Sequence, residues 1–341
     1  MTANFAELVL RPEDVFQPFG TIDMRFLPPA LALLRDALSL YWVLVRIVLP
    51  VMVLTRVAIE LGVVELLAPL FSPLMALLGL PPELGIAWAT GVLTGVWGGA
   101  VALFALVPAD QLTTAQVTVF STLILFAHAL PIEQRIVQKA GPGLVVTSLS
   151  RLLGGFLCGL ILHLIFQATG WLQDPVVPHW VPAGSETGWG AFALETAEAL
   201  GWMFVILLAL VILMRLMEKI GVMRWLTKAL SPVLRLTGIG PDAAPLTMVG
   251  LLLGLSYGGG LIIREARKGH LGARDVFLAA MFMGLCHSVI EDTLIVVALG
   301  ADLTSVLVGR VVFSILAVAV IAKCLALVPD RRFFRYLFNA A

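Results

Sequence analysis

Charge is what this sequence has least of. Only 13% of its 341 residues are Asp, Glu, Lys or Arg, while 60% are hydrophobic, and mean hydropathy is +1.01. A soluble globular domain carries about twice that share of charge. The shortage excludes a soluble domain and leaves an integral membrane protein, and nothing in the sequence suggests nucleic-acid binding. Cysteine is scarce as well. Cys158, Cys286 and Cys324 lie singly in apolar runs with no CxxC, so neither a disulfide framework nor a structural zinc site is expected. The opening stretch MTANFAELVLRPEDVFQPFG has no basic segment leading into an apolar core, and it reads as a short cytosolic lead-in rather than a cleaved signal. The HExxH, GxSxG, Walker and dinucleotide motifs are missing, which argues against an enzyme.

What the chain does have is a repeat. Slid against itself by 159 residues it matches without a gap: Arg56 with Arg215, Ser72-Pro73 with Ser231-Pro232, Gly95 with Gly254, His128 with His287, Gly141 with Gly300 and Arg151 with Arg310. Chance supplies glycines easily, but not a histidine, arginines and a Ser-Pro pair in one register. The chain divides into a lead-in (1–37), repeat 1 (38–168), a connecting loop (169–196), repeat 2 (197–327) and a basic tail (328–341). Each repeat opens with an apolar segment long enough to span a bilayer (38–59; 197–218), given that a crossing needs about 20 residues. A short stretch broken by Ser-Pro follows (62–79; 221–238), then a Gly-rich segment (84–107; 243–263), then two more spanning segments (116–139 and 142–168; 275–299 and 303–327).

The distribution of charge orients these segments. No Lys or Arg occurs between Arg151 and Arg215, which puts the Trp-bearing connecting loop outside. Residues 215–235 carry five basic residues and 264–274 carry four, while their counterparts 56–76 and 105–115 carry one and none. By the positive-inside rule equivalent loops fall on opposite faces, so the repeats are inverted. The Gly-rich segment of repeat 2 has basic residues at both ends and must enter and return on one side. The expected fold is all-α: two inverted repeats, each of three transmembrane helices, an interfacial helix and a re-entrant hairpin. Six crossings result, with both termini cytoplasmic.

Two stretches put ionisable groups at mid-membrane depth: 126-FAHALPIEQ-134 and 285-LCHSVIED-292. His287 and Glu291 are spaced i,i+4 on an assumed helix. Asp292 and its mate Glu133 lie further round, Ile132 stands where Glu291 would be, and Pro131 interrupts the helical ladder. An intramembrane charge costs about 2.5–3.5 kcal/mol on insertion scales. A doubled histidine-plus-carboxylate cluster kept against that cost points to a substrate or ion site made of His128, Glu133, His287, Glu291 and Asp292. Such a set can ligate a metal ion (His128, His287, Glu291, Asp292) or carry a coupling proton; no cofactor is required. Bridging of helices by these groups is the structural alternative. The hairpin tips, Gly95, Gly98 and Gly99 with Trp97, and Gly254, Gly258, Gly259 and Gly260, are candidate gates or simple close-packing sites, and Ser256 and Tyr257 at the second tip are candidate substrate- or ion-binding side chains. Arg151 and Arg310, near the start of their crossings, are expected to snorkel to the headgroups. Cys286, His163, His179 and His270 read as ordinary packing or loop residues.

The run 254-GLSYGGG-260, the basic loop after it and 286-CHSVIEDTLI-295, with a degenerate copy over 95–137, resemble the gate or nucleoside-recognition domain. That domain is shared by the membrane part of ferrous iron transporter B, concentrative nucleoside transporters and the spore maturation proteins A and B. The resemblance implies a transport-type fold in the cytoplasmic (inner) membrane of a bacterium, with the bilayer and a small ion or solute as partners, no nucleic acid, and a homo-oligomer or a membrane partner subunit as an option. Three functions follow from it: transport of a divalent cation or proton-coupled solute, transport of a nucleoside-type solute, or a non-transport accessory role. The GTPase domain of ferrous iron transporter B has no counterpart in this sequence.

Overall fold

The computed structural model describes residues 29–176, 188–222 and 225–339, apart from 227–229, 231–233, 235, 256–259, 261, 265 and 267–270. His179, His270, Ser256, Tyr257, Gly258 and Gly259 fall outside the described residues. The described chain is nearly all helical. In the first half α1 (Pro29–Glu60) and α2 (Val63–Leu77) lead to α3 (Leu84–Thr94) and α4 (Val96–Leu106), followed by α5 (Thr114–Phe126), α6 (Leu130–Lys139) and α7 (Leu144–Thr169). In the second half α8 (Trp189–Lys219) answers to α1, α9 (Ala244–Leu253) to α3, α10 (Ala273–Leu285) to α5 and α11 (Glu291–Ala298) to α6. The last long helix, α12 (Ser305–Ala326), answers to α7.

Local chemistry accounts for the element ends. Thr113 caps α5 through a reciprocal box, its Oγ1 accepting from Gln116 N while Gln116 Oε1 accepts from Thr113 N, which satisfies two orphan donors of the first turn. Between α3 and α4 stands Gly95 at φ 117° and ψ 179°, a conformation closed to residues with a Cβ. There the chain doubles back. Gly91 of α3 and Gly99 of α4 meet so closely that a Cβ built on Gly99 would lie 3.1 Å from Gly91 Cα. Left-handed backbone recurs at the 159-residue offset: Gly62 and Gly221, Gly79 and Gly238, Gly95 and Gly254, Gly141 and Gly300, and the non-glycine pair Ala129 and Ser288. The two halves thus share a backbone path as well as a sequence pattern.

Among the described residues five segments are long and apolar enough to cross a membrane: Leu33–Glu60, Thr114–Lys139, Leu144–Thr169, Trp189–Met217 and Ser305–Ala326. Burial ranks them. In the most apolar window of each, 78% of residues are buried for Thr114–Lys139, against 17% for both Leu33–Glu60 and Trp189–Met217. The charged, broken segment therefore forms the core, and the most apolar helices form the rim, as a lipid solvent favours. The counterpart of Thr114–Lys139 is broken into α10 and α11, neither of which spans alone. Its residues Val276–Leu285 are buried without exception.

The segment trailing each half covers the tight turn of the other. After α7, Val176 N donates to Leu112 O and the Val176 side chain covers Gly300. After α12, Asn339 N donates to Gly141 O and Gly143 N to Leu337 O, each at 2.8 Å, and the Phe338 ring covers Gly141.

Candidate functional site

The site lies where two helices are interrupted. Helix α5 stops at Phe126; Ala127 is extended (φ −137°, ψ 77°), His128 follows, and Ala129 is left-handed (φ 45°) before α6 begins. The second half repeats this path, with Cys286 extended (φ −143°, ψ 96°), then His287, then Ser288 at φ 45° before α11. Left-handed backbone costs about 1–2 kcal/mol for a residue with a side chain. Its occurrence at both equivalent positions shows that the surroundings impose it. Hairpin backbone helps to hold each break open: Ala129 N donates to Gly91 O at 3.1 Å and Val289 N to Leu251 O at 3.0 Å. A Cβ on Gly254 would lie 2.6 Å from Ser288 Oγ.

Every interruption exposes two kinds of helix end. The C-terminal carbonyls of α5 and α10 need donors and carry the negative end of the macrodipole; the N-termini of α6 and α11 carry the positive end. Arg151 Nε donates to Phe126 O at 2.7 Å and its Nη2 to His128 O at 3.1 Å. Arg310 Nε donates to Leu285 O at 3.1 Å, and its Nη2 reaches across to Leu125 O at 2.7 Å. Glu133 and Asp292 sit in the first turns of α6 and α11. The expectation that Arg151 and Arg310 snorkel to the headgroups is overturned: their exposures are 0% and 1%. They are the caps of the broken helices.

At the centre the two histidines meet. His128 Nε2 and His287 Nε2 are 3.2 Å apart. Each ring is tethered through Nδ1 to the carbonyl four residues back, His128 to Ile124 O at 2.9 Å and His287 to Met283 O at 2.8 Å. A carbonyl only accepts, so a neutral ring held in this way has its proton on Nδ1 and a bare lone pair on Nε2. Glu133 Oε1 lies 3.2 Å from His287 Nε2 and 3.5 Å from His128 Nε2, while Oε2 accepts from Arg151 Nη1 at 2.5 Å. Three acceptor lone pairs from two repeats thus converge in a buried space with no donor among them. A proton shared among them or a bound metal ion would satisfy these acceptors.

The spacing suits a metal. A tetrahedral centre with arms of about 2.0–2.1 Å separates its ligand atoms by about 3.3–3.4 Å, close to the three separations here. The side chains supporting the donors are also in place: both Nδ1 groups donate to carbonyls and the Glu133 carboxylate is held by Arg151, the outer arrangement that orients metal ligands.

The remaining candidates divide. Asp292 is buried, with Oδ2 3.6 Å from His128 Nε2. Glu291 is not part of the cluster. Because the backbone turns at Ser288, His287 and Glu291 do not share a helix face, and Glu291 is exposed. Pro131 occupies the first turn of α6, where proline is tolerated; the second half breaks at the same place without it. Gly98 and Gly99 pack within the hairpin, Trp97 is buried, and Gly260 has open space around it. The site residues that sequence reasoning misread are the two arginines. Their signal was present in the register that pairs Arg151 with Arg310, 23 positions after each histidine.

A family model described as "Gate: Nucleoside recognition" matches residues 41–143 and 200–302, together more than half of the chain. The second match is displaced from the first by 159 residues at both ends, since 200 less 41 and 302 less 143 agree. The chain is 25% identical over 287 residues to the "Uncharacterized membrane protein YvoD" of Bacillus subtilis (strain 168), a match covering 82% of this chain and 90% of the relative. No solved structure matches it. With both halves matched and five membrane-spanning candidates in hand, the chain is a multi-pass membrane protein that belongs to the Gate (nucleoside recognition) family.

Proposed function

We propose that this protein is a membrane transport protein, a secondary transporter or channel, whose cargo is a divalent metal cation bound at the midplane by His128, His287 and Glu133. One observation carries this reading: the convergence of three bare acceptors, two Nε2 atoms and Glu133 Oε1, at 3.2–3.5 Å in a buried space. Imidazole with carboxylate suits first-row ions such as Fe, Mn and Zn. The ion would lie between the two repeats, as in transporters built from repeats with broken helices. Topology supports the same reading. The charge asymmetry of equivalent loops favours inverted repeats, each with three crossings, an interfacial α2-type helix and a re-entrant α3–α4-type hairpin. In that arrangement both termini are cytoplasmic and the membrane is the inner membrane of a bacterium.

The test is uptake of Mn²⁺, Fe²⁺, Zn²⁺ or Co²⁺ into liposomes holding the purified protein. The wild type accumulates the ion, and the pair His287→Ala with Asp292→Asn abolishes uptake while eluting as a folded protein with an unchanged melting temperature. A double variant that cannot fold would favour the accessory reading, in which the cluster only joins helices. The family's description supports a second cargo, a nucleoside-type solute. A thermal-shift screen of metals against nucleosides separates the two, because a ligand of the folded state raises its melting temperature.

A further inference from the structure

The two half-sites are not equivalent, and the inequality concerns their carboxylates. In repeat 1 Glu133 is fixed: Arg151 Nη1 holds Oε2 and leaves Oε1 facing the histidines. In repeat 2 the carboxylate is one methylene shorter and no such clamp forms. Arg310 gives its Nε and Nη2 to the carbonyls of Leu285 and Leu125, and its Nη1 has no hydrogen-bond partner. Asp292 Oδ2 has none either, although the atom is buried and the residue is 92% covered, its exposure being 8%. A buried carboxylate oxygen without a donor costs several kcal/mol. Such a cost persists where a ligand removes it.

We infer that Asp292 is the fourth and moving ligand of the cation bound by His128, His287 and Glu133, a deepening that rests on the metal-binding reading above. Its Oδ2 is 3.6 Å from His128 Nε2, only slightly longer than the edge of the tetrahedron that the other three atoms outline. It lies outside the group whose ligand atoms are all within 4.8 Å of one another, so the first turn of α11 must move to bring it in. Glu133, clamped by Arg151, forms the rigid half of the site; Asp292, unclamped, forms the half that closes. The resulting set of two imidazoles and two carboxylates selects a borderline first-row divalent ion. It disfavours Mg²⁺ and Ca²⁺, which take all-oxygen shells, and Cu⁺, which takes sulfur. Closure by Asp292 also gives α11 two positions, with and without cation, which a transport cycle needs.

Co²⁺ reports the geometry directly. Titrated into the purified protein in detergent, it gives intense visible d–d absorption when four-coordinate and weak absorption when six-coordinate. Wild type is expected to bind with the intense spectrum. Asp292→Asn should weaken Co²⁺ binding by about 10- to 100-fold, at least the loss that removal of an outer-sphere partner causes, and the d–d bands of the residual complex should differ from those of wild type as water takes the place of the carboxylate. Glu291→Gln, one position away and exposed, should match wild type. If Asp292→Asn binds Co²⁺ with wild-type affinity and spectrum while His128→Ala does not bind, the metal site stands and Asp292 is no ligand. If wild type binds no Co²⁺ at all, the metal-binding reading fails and this inference with it.

Discussion

At the level of single residues, the groups that make this site costly are also those that make it fold. A guanidinium buried in a membrane protein is costly unless most of its donors are paired. Arg151 meets that demand with the carbonyls of Phe126 and His128 and the carboxylate of Glu133. Arg151→Gln should therefore destabilise the protein by about 3–5 kcal/mol, the loss typical of breaking a buried pair from one side, measured by denaturation in detergent. Arg151→Lys should rescue little, because a point-charge ammonium cannot reproduce a planar fork with three separate acceptors. Arg310→Gln should cost less than Arg151→Gln, because it strands two carbonyls and no carboxylate. The histidines and the paired carboxylates Glu133 and Asp292 were legible in the sequence as a doubled pattern. The arginines' role was not, because a need for cationic caps exists only once the helices are known to break.

At the level of elements, interruption is the recurring device. The α3–α4 hairpin turns at Gly95, and α5–α6 and α10–α11 break beside the histidines. The first hairpin was legible from its glycine run. The breaks were not: the first residue with positive φ is alanine in one half and serine in the other, and neither residue type announces left-handed backbone. An i,i+4 argument drawn across such a point fails, which is why Glu291 was read into the cluster. The turns closing α6 and α11 carry a related prediction. Gly141 (φ 115°) lies under the Phe338 ring and Gly300 (φ 102°) under Val176, where an added Cβ would meet either neighbour at 2.3 Å. Gly141→Ala and Gly300→Ala should each cost about 1–3 kcal/mol in backbone strain, with further loss from displacing the trailing segment. The loss should be larger for Gly141→Ala, where the trailing segment is hydrogen-bonded to the turn itself, than for Gly300→Ala, where only the Val176 side chain covers it. Protease resistance of residues 328–339 should fall in Gly141→Ala and hold in Gly300→Ala.

At the level of the whole molecule, symmetry turns one feature into two and places each copy against the other. The repeat was legible because a duplicated chain preserves its register wherever the backbone path is demanding: glycines with positive φ, the histidines, the buried arginines. The contact between the histidines was not legible, since a register says which residues correspond and nothing about which ones touch. The proposed inversion of the repeats would join the two. Helices α5 and α10 both run from their first residue toward a histidine near the break. Two such helices meet tip to tip at the midplane if one runs inward and the other outward. Parallel repeats would put equivalent loops, such as 105–115 and 264–274, on one face, against the charge count of none to four. Reporter fusions decide the matter. A cytoplasm-active reporter joined after residue 339 should be active and an export-active one silent; fused within 177–187, between the halves, the same pair should reverse. Single cysteines at 110 and 269 should then be labelled from opposite faces by an impermeant maleimide. Labelling of both from one face would make the repeats parallel and would separate the two histidines' approach from any pseudo-two-fold axis in the membrane plane.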